Sequence, residues 1–122
     1  MSLIVYKIIH LFGLFLLFQA LGAALVTAMS GTSLTDSPHR KMLLMMHGIG
    51  LFLLLFGGFG MAARLGIMGM LPLWIWVKLT IWLLLGASLT LVKKKPETAK
   101  TWWILAIVLG VSAAALGLFK PF

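Results

Sequence analysis

Four apolar runs, separated by short polar or glycine-containing segments, take up most of this chain. Each is about 20 residues long, the length a helix needs to cross roughly 30 Å of hydrocarbon at 1.5 Å per residue. They cover about 3–28, 42–64, 73–92 and 102–119. None alternates apolar with polar residues at period two, which a membrane barrel requires. Helices remain, because a helix satisfies its backbone polar groups internally and lipid offers no substitute. Short connections make successive helices antiparallel. The expected fold is all-α: one integral membrane domain, an up-down bundle of four transmembrane helices.

Composition agrees. The chain is 62% hydrophobic, with a mean hydropathy of +1.15. Its formal charge is +8. In a soluble protein that would point to nucleic acid; here it reports topology and contact with anionic lipid, and no nucleic-acid partner is expected. No cysteine is present, so disulfides, thiolate metal sites and iron–sulfur clusters are excluded. The first run is longer than the roughly 7–15-residue core of a signal peptide, so it reads as a retained span.

The connections carry recognisable turn chemistry. SGTSLTDSPHRK after the first span is a solvated turn. RLGIMGMLP ends in Pro72, suited to the first turn of the third helix. KKKPETAK offers Thr98 or Thr101 as a cap for the fourth. The first and third connections hold Arg40, Lys41, Lys93, Lys94, Lys95 and Lys100. The opposite side holds Lys7, Arg64 and Lys120. Positive-inside bias therefore puts both termini outside, in the inner (cytoplasmic) membrane of a bacterial cell. Trp74 and Trp76 at one surface, and Trp102 and Trp103 at the other, are expected to be interface anchors first and pocket walls second.

Ionisable residues inside the spans are the functional candidates, since charge at bilayer depth is costly. These are His10, His47 and Lys78; the only acids, Asp36 and Glu97, lie in connections. That argues against proton- or sodium-coupled transport, which leans on an intramembrane carboxylate. Counting the helical rise puts His10 about 10 Å and Lys78 about 8 Å below the same surface. His47 falls about 8 Å from the opposite one, so His10 and His47 are about 12 Å or more apart and poorly placed to share one haem. His10 with Lys78 is the allowed pair.

Each candidate also has an ordinary role. Lys78 can snorkel to the headgroups. His10 can bond a neighbouring carbonyl, and His47 can bond Gln19, Thr27 or Ser30 of the first span or reach the interface. Arg64 reads as an interface anchor whose fork would also suit a lipid phosphate or a haem propionate. Small residues, namely Gly57, Gly58 and Gly60 in span two and the pairs Gly110/Ala114 and Ala113/Gly117 in span four, mark close helix packing or oligomer contact. The pattern HxxGLFLL occurs at His10 and again at His47. Leu and Phe dominate both spans, so coincidence explains this more readily than duplication.

YKIIHLFGLFL and LPLWIWVKLTIWLLLG resemble segments of the small HemJ-type membrane protoporphyrinogen oxidases and their SirB-like relatives. Lys7 and His10 match an early K-x-x-H segment; Trp74, Lys78 and Leu79 match a later W-x-x-x-K-L segment. The resemblance covers about a third of the chain. QALGAALVTAMS stands where the oxidases carry an arginine and aromatic motif, and the second span differs from theirs. It implies haem b near the outer leaflet, His10 as ligand of the haem iron, and Lys78 as second ligand or partner. The expected function is electron transfer or tetrapyrrole oxidation. The alternative is a non-catalytic accessory subunit in a larger membrane complex; a lipid-binding or channel-forming homo-oligomer ranks third.

Overall fold

The computed structural model describes residues 2–120. Among them are four α-helices and no strand: α1 Leu3–Met29, α2 Arg40–Arg64, α3 Leu73–Lys94 and α4 Ala99–Phe119. All four are long and apolar enough to cross a membrane. The spans lie where expected, with three boundaries moved. α2 begins inside the first polar connection, at Arg40, after a 3-10 turn over Leu34–Asp36. α3 runs on through Lys93 and Lys94, whose charges suit a helix C-terminus. α4 starts at Ala99. Ser2 caps α1 by accepting from the Val5 amide. Thr98 stands at the N-cap position of α4, as expected, but its hydroxyl makes no capping bond and donates to the Lys95 carbonyl. Pro72 stands just before α3, as its N-cap residue.

Helices successive in the chain are antiparallel, and α4 runs antiparallel to α1. Across α1–α2, Gly57 meets His10 and Gly60 meets Tyr6. Across α2–α3, His47 reaches Leu85 and Trp82 reaches Leu51. Across α3–α4, Gly117 meets Lys78, and across α1–α4, Gly110 meets Phe18. The start of α1, the end of α2, the start of α3 and the end of α4 therefore share one end of the bundle, here the terminal end. The other is the loop end. The core runs along α1 through Leu17, Ala20, Leu21, Ala24 and Leu25, with Leu54 of α2, Ile81, Leu85 and Leu89 of α3, and Trp102 and Ala106 of α4.

The α1–α2 contact is backbone on backbone. A Cβ at Gly13 would lie 2.7 Å from the Leu54 amide nitrogen and 2.8 Å from the Gly50 carbonyl oxygen. A Cβ at Gly50 would lie 2.7 Å from the Leu17 nitrogen and 2.8 Å from the Gly13 oxygen. The two contacts mirror each other, so Gly13 and Gly50 sit across a local two-fold axis. These are the glycines of the two HxxGLFLL segments, which face one another head to tail. Gly57 brings α2 equally close to the His10 backbone. No side chain intervenes, which is how small residues bind helices in lipid.

α4 is held differently. Gly110 receives the Phe18 ring and Gly117 the end of the Lys78 side chain, while Ala114 is exposed. Span-four small residues thus accommodate side chains from α1 and α3. The tryptophans split: Trp74 and Trp102 are buried in the bundle, whereas Trp76 and Trp103 are exposed. The expectation that all four serve first as interface anchors is corrected for the two buried ones. Their faces carry core positions, and indole packs there as a large apolar body.

Candidate functional site

The polar side chains of the spans mostly reach backbone carbonyls. His10 lies on the face of α1 that packs on α2, two turns in, and its Nδ1 is 2.9 Å from the Leu54 carbonyl oxygen. An oxygen acceptor needs a donor, so Nδ1 carries the proton and Nε2 keeps its lone pair. Gly58 leaves space beside this ring: a Cβ there would sit 3.7 Å from it. The position is set by Gly57, which lets the α1 backbone approach until the imidazole meets an α2 carbonyl.

His47 is buried on α2, with Nε2 3.2 Å from the Leu85 carbonyl oxygen of α3. This corrects the expected partners Gln19, Thr27 and Ser30. Thr27 and Ser30 turn back to the carbonyls of Ala23 and Val26 in α1 itself. His47 points instead at α3, where Ser88 also donates to Leu85, at 2.6 Å. His10 and His47 sit toward opposite ends of the bundle, as the rise per residue required.

Trp82 went unremarked in the sequence, yet its indole nitrogen donates to the Leu51 carbonyl of α2, at 2.9 Å. The signal was available: an indole in mid-span must find an acceptor. The identity of that acceptor was not.

Lys78 is the exception. It lies one turn into α3, half-buried, with its Nζ 2.9 Å from where a Gly117 Cβ would be. It forms no hydrogen bond among the described residues. Every fully buried side-chain nitrogen or oxygen has a partner, so Lys78 Nζ retains access to the outside. Like His10 in α1, it stands within the first two turns of its helix at the terminal end. The structure thus brings His10 and Lys78 to the same end and the same level. Arg64 stands apart, exposed as the last residue of α2.

A second lysine joins this end. Lys120, just beyond α4, adopts a left-handed backbone with φ 48°, a common way for a helix to end. Its side chain folds back so that Nζ donates to the Gly117 carbonyl at 2.8 Å and lies 5.8 Å from the centre of a Trp74 ring. That contact is within cation–π range.

Two shallow grooves mark the surface. One, of about 360 Å³, is lined by Tyr6, Phe52, Leu55, Phe56, Phe59 and Gly60. The other, of about 460 Å³, is lined by Val77, Ile81, Ser112, Ala115, Leu116 and Phe119. Neither includes His10 or Lys78. Among the described residues, no three His, Asp or Glu side chains gather to hold a metal ion.

Comparison of the chain with protein-family profiles, curated proteins and solved structures returns no match.

Proposed function

We propose that this multi-pass membrane protein holds haem b, or a similar flat carboxylate-bearing ligand, at the terminal end of its bundle, for electron transfer or tetrapyrrole oxidation. The observation that carries this reading is the His10 Nδ1–Leu54 bond. It fixes the imidazole in the tautomer that metal-ligating histidines use, with the second nitrogen oriented by a backbone carbonyl. The donor chemistry fits: Nε2 for the iron, Lys78 as second ligand or partner of a propionate. Arg64, a turn or more from His10, suits a propionate only at the rim. The ring is partly buried, with the space beside Gly58 next to it. The α1–α2 backbone contact cannot open without loss of the hairpin. A flat ligand would enter from the α3–α4 side, where Gly117 meets the end of the Lys78 side chain and not a backbone. Bound haem supplies one-electron redox chemistry; the chain holds and orients it.

The positive charge at the loop end supports an orientation with both termini outside the inner (cytoplasmic) membrane. The test is the absorption spectrum of protein purified in mild detergent after expression with haem supply. A Soret band is expected, lost in His10→Ala and kept in His47→Ala. A colourless wild type, or a band that survives His10→Ala, overturns the reading.

A second reading, a non-catalytic subunit of a larger membrane complex or a homo-oligomer, draws on α4. Only 11% of its most apolar stretch is buried, against 28–33% for the other helices. Ile104, Ile107, Val108, Val111 and Leu118 are exposed along it, a face that lipid or another helix can cover. Enlarging Val108 and Val111 to Trp is expected to disrupt an assembly built on this face. If size-exclusion in detergent gives the same mass before and after, that reading fails.

A further inference from the structure

We propose that the terminal end of the α3–α4 pair is a binding site for a phosphate anion, supplied by the headgroup of an anionic phospholipid and gripped by Lys78 and Lys120. The two ammonium groups converge on one residue. Lys120 Nζ donates to the Gly117 carbonyl, and Lys78 Nζ lies against the Gly117 backbone where a Cβ is missing. Both therefore stand at the same Gly117 backbone. Two ammonium groups brought together, one of them half-buried, favour an anion beside them.

The described part of the chain provides none. Its only acids, Asp36 and Glu97, are in the connections at the loop end, a full helix length away. The other ionisable groups near the terminal end among the described residues are Tyr6, Lys7 and His10 of α1 and Arg64 of α2, none of them a carboxylate. The counter-charge therefore comes from outside the described chain. Lys78 Nζ has no hydrogen-bond partner among the described residues and remains reachable, and Lys120 uses one of its three protons on Gly117. Both retain donors for an oxyanion. Lys120 stands just past the end of α4, where a spanning helix leaves the hydrocarbon and lipid phosphates begin. A phosphodiester matches that depth, charge and donor set. The site shares Lys78 with the reading above but needs no haem, and Lys120→Gln tests it without altering a residue proposed to hold haem.

The experiment is native mass spectrometry of the full chain released from nanodiscs of equal phosphatidylglycerol and phosphatidylcholine. Wild type is expected to retain phosphatidylglycerol selectively. Lys78→Gln and Lys120→Gln should each lower that retention about tenfold, the scale of one charge-assisted contact. The triple variant Lys93→Gln, Lys94→Gln, Lys95→Gln at the loop end should not change it. A parallel titration with inorganic phosphate, read as a rise in thermal midpoint, separates the sources. A phosphate response stronger than the lipid's, lost in the same two variants, would make the ligand a free anion and overturn the lipid assignment. Equal retention of both lipids, or equal loss in the loop-end triple variant, would reduce the effect to general positive charge and overturn the site.

Discussion

At the scale of single residues, the interior polar groups act as fasteners between helices. Leu51 and Leu54 of α2 and Leu85 of α3 lend their carbonyls to Trp82, His10 and His47. Helical carbonyls already accept one bond and have a second lone pair to offer. Each such bond in a membrane is worth about 0.6 kcal/mol on average and up to about 1.7. Trp82→Phe is therefore expected to lower stability by about that amount, because ring volume stays and only the donor goes. Unfolding titrations in mixed detergent micelles measure it. No measurable change would mean that the indole finds an equal partner in the unfolded chain. The candidate pair His10 and Lys78 was legible in the sequence through depth alone. The Leu54 partner and the role of Lys120 were not, because both depend on which carbonyl a neighbouring helix happens to present.

At the scale of elements, the α1–α2 hairpin and the α3–α4 pair are built by different means. A Cβ at Gly13 or Gly50 would meet backbone atoms at 2.7–2.8 Å, closer than any real contact. Overpacking of a fixed site costs about 1–3 kcal/mol, and here the backbones themselves must part. Gly13→Ala and Gly50→Ala should each destabilise the bundle by about that amount or more in the same titration. Gly48 is the matched control. It lies on α2 with nothing within 4 Å of its Cβ position. Gly48→Ala should be neutral or stabilising by up to about 1 kcal/mol, through helix propensity alone. Similar losses at Gly13 and Gly48 would refute the backbone contact. The sequence showed glycines clustering in span two. It did not show that Gly13, and not Gly22, was the span-one partner of Gly50, since every helix is apolar on all sides and no stripe marks the packed face.

At the scale of the whole molecule, an even number of antiparallel helices places the start of α1 and the α2–α3 connection on one side. The chain has no cysteine, so single introduced thiols report cleanly. Ser2→Cys and Gly69→Cys should label with a membrane-impermeant maleimide from the same side of sealed vesicles. Ser37→Cys and Lys95→Cys should label only from the other. Any other grouping would contradict the up-down order. Helix α4, the least buried, should also exchange its amide hydrogens before α1 and α2 do. Protection of α4 equal to that of α1 would indicate that something covers its outer face.

The sequence by itself determined the class of solvent, the number and limits of the helices, their antiparallel order and the opposite depths of His10 and His47. These follow from lengths and charges, which a bilayer reads directly. Only the tertiary structure decided which faces meet. In a uniformly apolar chain, burial gives no preference between one face and another, because lipid is as apolar as leucine. The choice falls to shape: Gly13 against Gly50, Gly57 beneath His10, and Gly117 beside Lys78. Shape of that kind exists only once two helices are side by side.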